Sequence, residues 1–211
     1  MTLVKKIILL FFICLFCFAS LKSQQLRITV YEGWTLEKEI DNYHYEADHY
    51  EGTIKGGWRH GLGAALFFDN AFDVGLLYYS QNTNIPATYY TPSTTVSRNF
   101  DLKIQWLLLQ FTAYLLKKNI RPFIGSDIGM GFLKVKDPSL NAEASRTKFT
   151  WGGHIGTEFS FTKFLALKLK VDLLNSTRLN DSPSQSDVIA YNYYLQTGFS
   201  AGLVVKINVR K

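Results

Sequence analysis

Cysteine is nearly absent. The chain has two in 211 residues, Cys14 and Cys17, and both lie in an apolar N-terminal run from Ile7 to Ala19. Lys5 and Lys6 precede that run, and Ser20 and Ser23 follow it. A charged segment, an apolar segment and then small residues is the order of a secretory signal. Residues 1–23 are therefore expected to be a signal peptide cut after Ser23, with Ser20 as the competing position, and 24–211 to be one folded domain. The bulky residues before the cysteines, Ile13 and Phe16, argue against a lipid-anchored cysteine. Cleavage takes both cysteines away, which excludes a disulfide scaffold.

Long apolar runs are also lacking. The N-terminal run falls short of the ~20 residues of a comfortable membrane helix, and no later run reaches ~18. Charge of one sign is scarce as well. The formal charge is +6 from 23 basic and 17 acidic residues. Lys5, Lys6 and Lys22 belong to the signal, so 20 basic residues remain against 17 acidic ones, a net +3. No basic stripe remains, and no nucleic-acid partner is expected. There is no phosphate loop, and the Gly-x-Ser-x-Gly at Gly198–Gly202 lies inside an alternating extended segment rather than at a strand-to-helix elbow.

What the chain has is alternation. Tyr193, Leu195, Thr197, Phe199, Ala201, Leu203, Val205, Ile207 and Val209 form one face of a long extended segment. Small or polar residues, among them Gln196, Gly198, Ser200, Gly202 and Lys206, form the other. A period of two means a strand, and this one exceeds the usual ~5–6 residues. Seven more segments read the same way: Leu26–Leu36, Trp58–Phe68, Phe72–Ser80, Phe100–Tyr114, Pro122–Val135, Phe149–Phe161 and Phe164–Leu174. Glu32 breaks the apolar face of the first, which suggests a bulge near Gly33. In the fourth, Phe100 to Leu108 read as the apolar face against Asp101, Lys103 and Gln105, and the phase blurs from Leu107.

Connections alternate in length. Short turns fall at Asp69–Ala71, Lys117–Asn119 and Thr162–Lys163, while about 37–57, 81–99, 136–148 and 175–190 read as long loops. Trp34, Trp58, Tyr78, Tyr79, Trp151, Tyr191 and Tyr193 gather at the loop ends. Phe67, Phe68, Phe72, Tyr114, Phe123, Phe159, Phe161 and Phe164 gather at the turn ends. Two aromatic girdles, short turns and long loops make the pattern of an outer-membrane barrel. The expected fold is all-β: an eight-stranded antiparallel up-and-down transmembrane β-barrel in a bacterial outer membrane, with both termini periplasmic. A soluble β-sandwich gives no reason for such girdles. A lipocalin-like barrel would carry its charges outside, whereas the polar face here is rich in glycine.

The expected lumen face carries Arg59, Asp73, Asp101, Lys103, Asp127, His154, Glu158, Lys168, Lys170, Asp172, Gln196 and Lys206. Eight strands leave room only for side chains, and buried charges must pair. A plug of ion pairs is the first expectation, and a narrow path for small solutes is the alternative. Lys168, Lys170 and Asp172 look to Glu158 and His154 as their nearest partners. Lipid chemistry at His154 would need a nucleophile beside it, but Ser160 lies away at the turn end, so no catalytic residue and no enzyme activity are expected. His44, Glu46, Asp48, His49 and Glu51 cluster in the first loop at no recognisable metal spacing, so no metal or other cofactor is assigned. The tyrosines of that loop suit a contact surface.

The segments RPFIGSDIGMGF (121–132) and FSAGLVVKINV (199–209) resemble the barrel-domain proteins of Bacteroidetes. The whole arrangement resembles the small outer-membrane β-barrel family that includes the transmembrane domain of outer-membrane protein A. That resemblance implies partners in outer-membrane lipid and in the insertion machinery, with Ser200, Gly202, Val205 and Ile207 matching the assembly signal of the last strand. The chain ends Val209-Arg210-Lys211 rather than on an aromatic residue, a departure from the pattern. It implies a structural role, or an interaction role through the outer loops with an extracellular or envelope protein. A narrow pore or a carrier of small or apolar solutes comes second, and a lipid-modifying enzyme third.

Overall fold

The computed structural model describes residues 25–44, 48–68, 71–90, 93–116, 118–176 and 194–209. The expected signal peptide 1–23 lies outside these residues, as do Tyr191, Tyr193 and the side chains of 41–50.

Ten antiparallel strands form: β1 (Gln25–Thr35), β2 (Lys38–His44), β3 (Asp48–Ile54), β4 (Gly57–Phe68), β5 (Phe72–Tyr90), β6 (Thr95–Tyr114), β7 (Ile120–Asp137), β8 (Ala142–Ser160), β9 (Leu165–Ser176) and β10 (Tyr194–Asn208). Eight of them close a ring in the order β1, β4, β5, β6, β7, β8, β9, β10, and β10 pairs back on β1 from Asn208↔Gln25 to Gly198↔Thr35. Closure satisfies every strand edge of the ring. The described residues include no helix.

Three sequence expectations change. The long loops at 37–57, 81–99 and 136–148 are largely strand. β5 and β6 stay paired up to Tyr90↔Thr95, β7 and β8 up to Asp137↔Ala142, and β2 and β3 make a further hairpin that joins the sheet through β3 and β5. These hairpins raise a rim above the ring. No bulge occurs at Gly33: β1 pairs with both neighbours without a break from Gln25 to Thr35, so Glu32 simply faces out. β6 alternates without a break, but Phe100, Leu102, Ile104, Trp106 and Leu108 point inward and are buried, while Asp101 and Lys103 are exposed on the outer face.

That reversal has a local cause. Asp101 stands between Asn84 and Lys136, and Lys103 between Asn82 and Lys134. The outer wall is polar there, so the buried face must be the apolar one. The inward residues join Ile40, Ile54, Ile85, Leu133 and Val135 in one core inside the rim. Nearer the turns the sense inverts. Val30, Leu62, Leu76, Leu107, Ile124, Ile155, Leu169, Phe199 and Leu203 are exposed on the outside. The girdles change too. Trp34, Trp58, Tyr78 and Trp151 face out, but Tyr79, Phe67, Tyr114 and Phe123 are buried.

Candidate functional site

Within the ring, inward positions of seven of the eight strands bring charged side chains together, and β6 adds the polar Gln110, Thr112 and Tyr114. Near the turn end, Glu158 on β8 is the hub. Its Oε2 lies 3.1 Å from Arg27 Nη1, and its Oε1 lies 3.0 Å from Lys206 Nζ and 3.6 Å from Arg121 Nη2. The Tyr114 hydroxyl donates to Asp73 at 2.7 Å and lies 3.1 Å from Glu158, while Arg27 Nη1 donates to the same hydroxyl at 3.0 Å. The Arg27 guanidinium lies 3.3 Å from the centre of the Phe67 ring. Cation–π contact of this kind is worth ~2 kcal/mol or more when desolvated.

One layer up, His154 Nδ1 meets Asp127 Oδ2 at 2.8 Å, and Gln110 donates to Asp127 Oδ1 at 3.0 Å. Higher again, Arg59 and Asp172 form two parallel bonds of 2.7 Å each, the strong forked geometry. A Cβ at position 198 would collide with the Arg59 guanidinium, so Gly198 makes room for that fork. Lys170 Nζ lies 3.7 Å from Asp172, between the rings of Tyr31 and Tyr79 at 5.2 and 4.9 Å. Above them Gln196 donates to Gln81 at 2.9 Å, and Gln81 donates to Thr35 at 2.6 Å.

Nine of the eleven charged residues named for the lumen in the sequence therefore lie inside: Arg59, Asp73, Asp127, His154, Glu158, Lys168, Lys170, Asp172 and Lys206. Asp101 and Lys103 do not, for the reason given above. Gln196 is inside as well. Partners differ from those expected by proximity in sequence. Lys168 reaches Asp73 at 3.6 Å, and Asp172 takes Arg59 and Lys170. Arg27, Arg121 and Tyr114 join them inside beyond those the sequence reading assigns to the lumen, although Arg27 alternates with Leu26 and Ile28 and its parity alone places it inside. Ser200 and Gly202 face inward, while Val205 and Ile207 face out.

One lumen set has the outline of a catalytic relay. Thr112 Oγ1 lies 3.2 Å from His154 Nε2, and Asp127 holds the other ring nitrogen. Thr112, His154 and Asp127 are 2, 3 and 2% exposed, and the Phe123 ring sits 6.0 Å from the imidazole. No substrate reaches a hydroxyl so enclosed. The chemistry of this cluster is pairing. Among the described residues no group of histidines, cysteines and carboxylates is arranged to hold a metal.

No protein-family model matches the sequence, and no curated protein matches it. Solved structures do match the fold. Neisserial surface protein A aligns with a TM-score of 0.58 at 11% identity, over 87% of this chain and 97% of that one. Outer membrane protein OprG of Pseudomonas aeruginosa aligns at 0.54 with 12% identity, over 89 and 98%. The attachment invasion locus protein Ail of Yersinia pestis, in complex with the heparin analogue sucrose octasulfate, aligns at 0.53 with 13% identity, over 88 and 99%. The fold is that of the small outer-membrane β-barrels. In that frame the ion-pair ladder fills the lumen of an eight-stranded barrel, and the rim is formed by hairpins above it.

Proposed function

We propose that this chain is an integral outer-membrane barrel protein with a structural or surface-interaction role, and that the raised rim is its contact surface. The observation that carries this reading is the inverted polarity of the ring. An apolar outer wall encloses a ladder of buried ion pairs, which suits lipid outside and no water path within. Arg27–Glu158, His154–Asp127 and Arg59–Asp172 occupy the lumen with almost fully buried side chains, which favours contact over conduction. The rim lifts tyrosine-bearing hairpins clear of the apolar belt, and Tyr89 and Tyr90 stand at the tip of the longest. Tyrosine offers contact area and a hydrogen bond at low entropic cost. The surface and attachment proteins of the same fold agree with such a role.

On this reading residues 1–23 are a cleaved leader and 24–211 the barrel domain. Both termini are periplasmic, and Ser200, Gly202, Val205 and Ile207 are read by the insertion machinery. The test is fractionation and surface labelling of cells expressing the chain. We expect recovery only with detergent, slower migration on gels after boiling, and cleavage of the β5–β6 hairpin by protease added outside. A leaderless chain that stays folded and monomeric in plain buffer overturns the proposal.

A second reading rests on one feature. A cavity of about 320 Å³ opens in the rim between Phe100, Val135, Leu140 and Ala144, with Arg98 and Asp137 at its edge. Arg98, Asp137 and Glu143 beside these apolar side chains give the chamber a mixed lining, which suits a carrier that takes up small molecules with an apolar part and releases them sideways. Saturable uptake of a labelled alkane by expressing cells supports it, and uptake equal to that of cells lacking the gene removes it.

A further inference from the structure

The ion-pair ladder is uneven in charge. In its turn-end layer Arg27, Arg121, Lys168 and Lys206 share Asp73 and Glu158, four cations for two carboxylates. Among the described residues no other carboxylate lies within ion-pair distance of these four cations. Higher up, Arg59 and Lys170 are matched in number by Asp127 and Asp172. The side chains of Arg27, Lys168 and Lys206 are buried, and that of Arg121 is 13% exposed. Charges so placed need counter-charge, because little water reaches them.

Two of the four cations converge on a neutral group. Ser160 Oγ accepts from Lys206 Nζ at 2.7 Å and from Arg121 Nη2 at 3.1 Å, and it lies 3.4 Å from Glu158 Oε1. Arg121 Nε is buried and has no hydrogen-bond partner among the described residues. These side chains border a cavity of about 430 Å³ at the turn-end mouth of the barrel. Lys163, Asn119 and Asn208 stand in the same lining, and every charged residue among the described lining residues is a cation. Backbone bonds fix the walls. Ser160 N donates to Asn119 O at 2.8 Å, and Lys206 N donates to Phe164 O at 2.8 Å. The donors are therefore held in place before any ligand arrives, which lowers the cost of binding.

We propose that this mouth binds a doubly charged phosphate, either a phosphate monoester or inorganic phosphate, entering from the turn side. Charge selects the class. The layer carries two positive charges in excess. A phosphate monoester brings about −1.5 to −2 near pH 7, whereas a phosphodiester or a carboxylate brings a single negative charge. Chemistry agrees with charge. The guanidinium of Arg121 is a planar fork that matches phosphate oxygens, and the ammonium groups of Lys206 and Lys163 add point charges. Arg121 and Lys206 supply the enclosed donors, Lys163 on the β8–β9 turn supplies the exposed one, and the Asn119 and Asn208 amides fill the rim of the cavity. The volume exceeds that of a phosphate group, so the organic part of an ester fits beside it. The site goes beyond the contact role proposed above, and it lies at the opposite end of the barrel from the tyrosine-bearing hairpins.

The full chain, folded in detergent micelles, tests the site by titration calorimetry. Inorganic phosphate and glycerol 3-phosphate should each bind saturably, and dimethyl phosphate and acetate at least about tenfold more weakly, a difference of about 1.4 kcal/mol. The tighter of the first two identifies ester or free ion as the ligand. Affinity for phosphate should fall below about pH 6, where the dianion takes up a proton, while affinity for sulfate should hold. Arg121→Gln should weaken phosphate binding by about 10–100-fold, and Lys163→Gln by about threefold. Lys134→Gln, at the rim, should change nothing. Ser160→Asp places a carboxylate between Arg121 and Lys206 and should abolish binding. Gel migration before and after boiling reports whether each variant is folded. A folded wild-type barrel that binds no phosphate overturns the site and leaves the barrel reading standing. Equal affinity for phosphate and dimethyl phosphate overturns it too, as does displacement of phosphate by phosphatidylglycerol added to the micelles, which makes the mouth a headgroup contact. Binding that survives Ser160→Asp unchanged places the phosphate elsewhere, as an adventitious ion only.

Discussion

Strand β6 passes through two environments and carries opposite sequences in them. Toward the rim its inward residues are Phe100, Leu102, Ile104, Trp106 and Leu108, and its outward ones are Asp101, Lys103 and Gln105. Toward the turns its inward residues are Gln110, Thr112 and Tyr114, and its outward ones are Leu107, Leu109 and Phe111. The backbone geometry is the same throughout, and the ladder to β5 keeps one register from Phe72↔Ala113 to Tyr90↔Thr95. Only the medium outside differs. Where water lies outside, burial of apolar area holds the wall together. Where lipid lies outside, that drive vanishes between wall and medium, and cohesion passes to hydrogen bonds and ion pairs inside. One barrel is thus stabilised by two kinds of interior, and each should fail in its own way.

The largest effects should come from breaking a lumen pair. Asp172→Ala leaves Arg59 and Lys170 without their carboxylate in a dry interior, and loss of one partner of a buried pair costs about 3–5 kcal/mol. Urea unfolding in detergent, followed by tryptophan fluorescence, should show that loss. Replacing all three charges, Arg59→Met and Lys170→Met with Asp172→Leu, should recover most of it; a triple variant as weak as Asp172→Ala would mean the charge cluster is not the source. A lysine scan along the outer face of β6 then locates the boundary between the regions. Leu109→Lys should cost about 2–4 kcal/mol, falling to ~0–1 near the interface at Gln105→Lys. Equal costs at both positions would erase the distinction between ring and rim. Within the rim core, Ile104→Val should cost about 0.5–1.5 kcal/mol, by loss of packing alone.

This boundary also explains what the sequence could and could not tell. β10 was legible at once, because its apolar face stays outside along its whole length. β6 was not, because two alternations of opposite phase abut near Leu107, and a reading that assigns one face to lipid places Asp101 and Lys103 in the lumen. Arg27 was readable by parity alone, since it falls between Leu26 and Ile28. The pairing of Arg59 with Asp172 was not readable, since 113 residues separate them and only ring closure brings them together. Gln81 to Asn99 read as loop because Asn82, Asn84 and Pro86 are poor strand formers, yet the hairpin is held by Ile85 and Phe100 packing into the rim core. Within β1 alone Glu32 reads as a fault in the strand. Its partner His60, whose Nδ1 lies 2.7 Å from Glu32 Oε2, is on another strand, and no pattern within β1 could show it.

The smallest test concerns the tip of β7–β8, far from the lumen. Asp137 Oδ1 accepts a bond of 2.9 Å from the Ser139 amide and another from its hydroxyl, and Oδ2 accepts one of 2.9 Å from Arg98. Asn141 completes the turn at φ 48°, a conformation that asparagine tolerates better than most residues. The Ser139 hydroxyl first, and then its amide and Arg98, hold the Asp137 carboxyl below its ordinary range. A carboxyl whose pKa falls on folding contributes stability that is complete above its unfolded value and is lost as pH drops toward the folded one. Amide exchange at Ser139 and Leu140 should therefore be slow at neutral pH and quicken as pH falls below the ordinary carboxylate range, after correction for the intrinsic rate. Asp137→Asn should show the quicker exchange at every pH. The Arg59–Asp172 layer should be unchanged by that substitution, because the tip sits on the rim core and not on the ion-pair ladder. Equal exchange in wild type and Asp137→Asn at neutral pH would mean that Asn141 and the β7–β8 ladder hold the turn without the carboxylate.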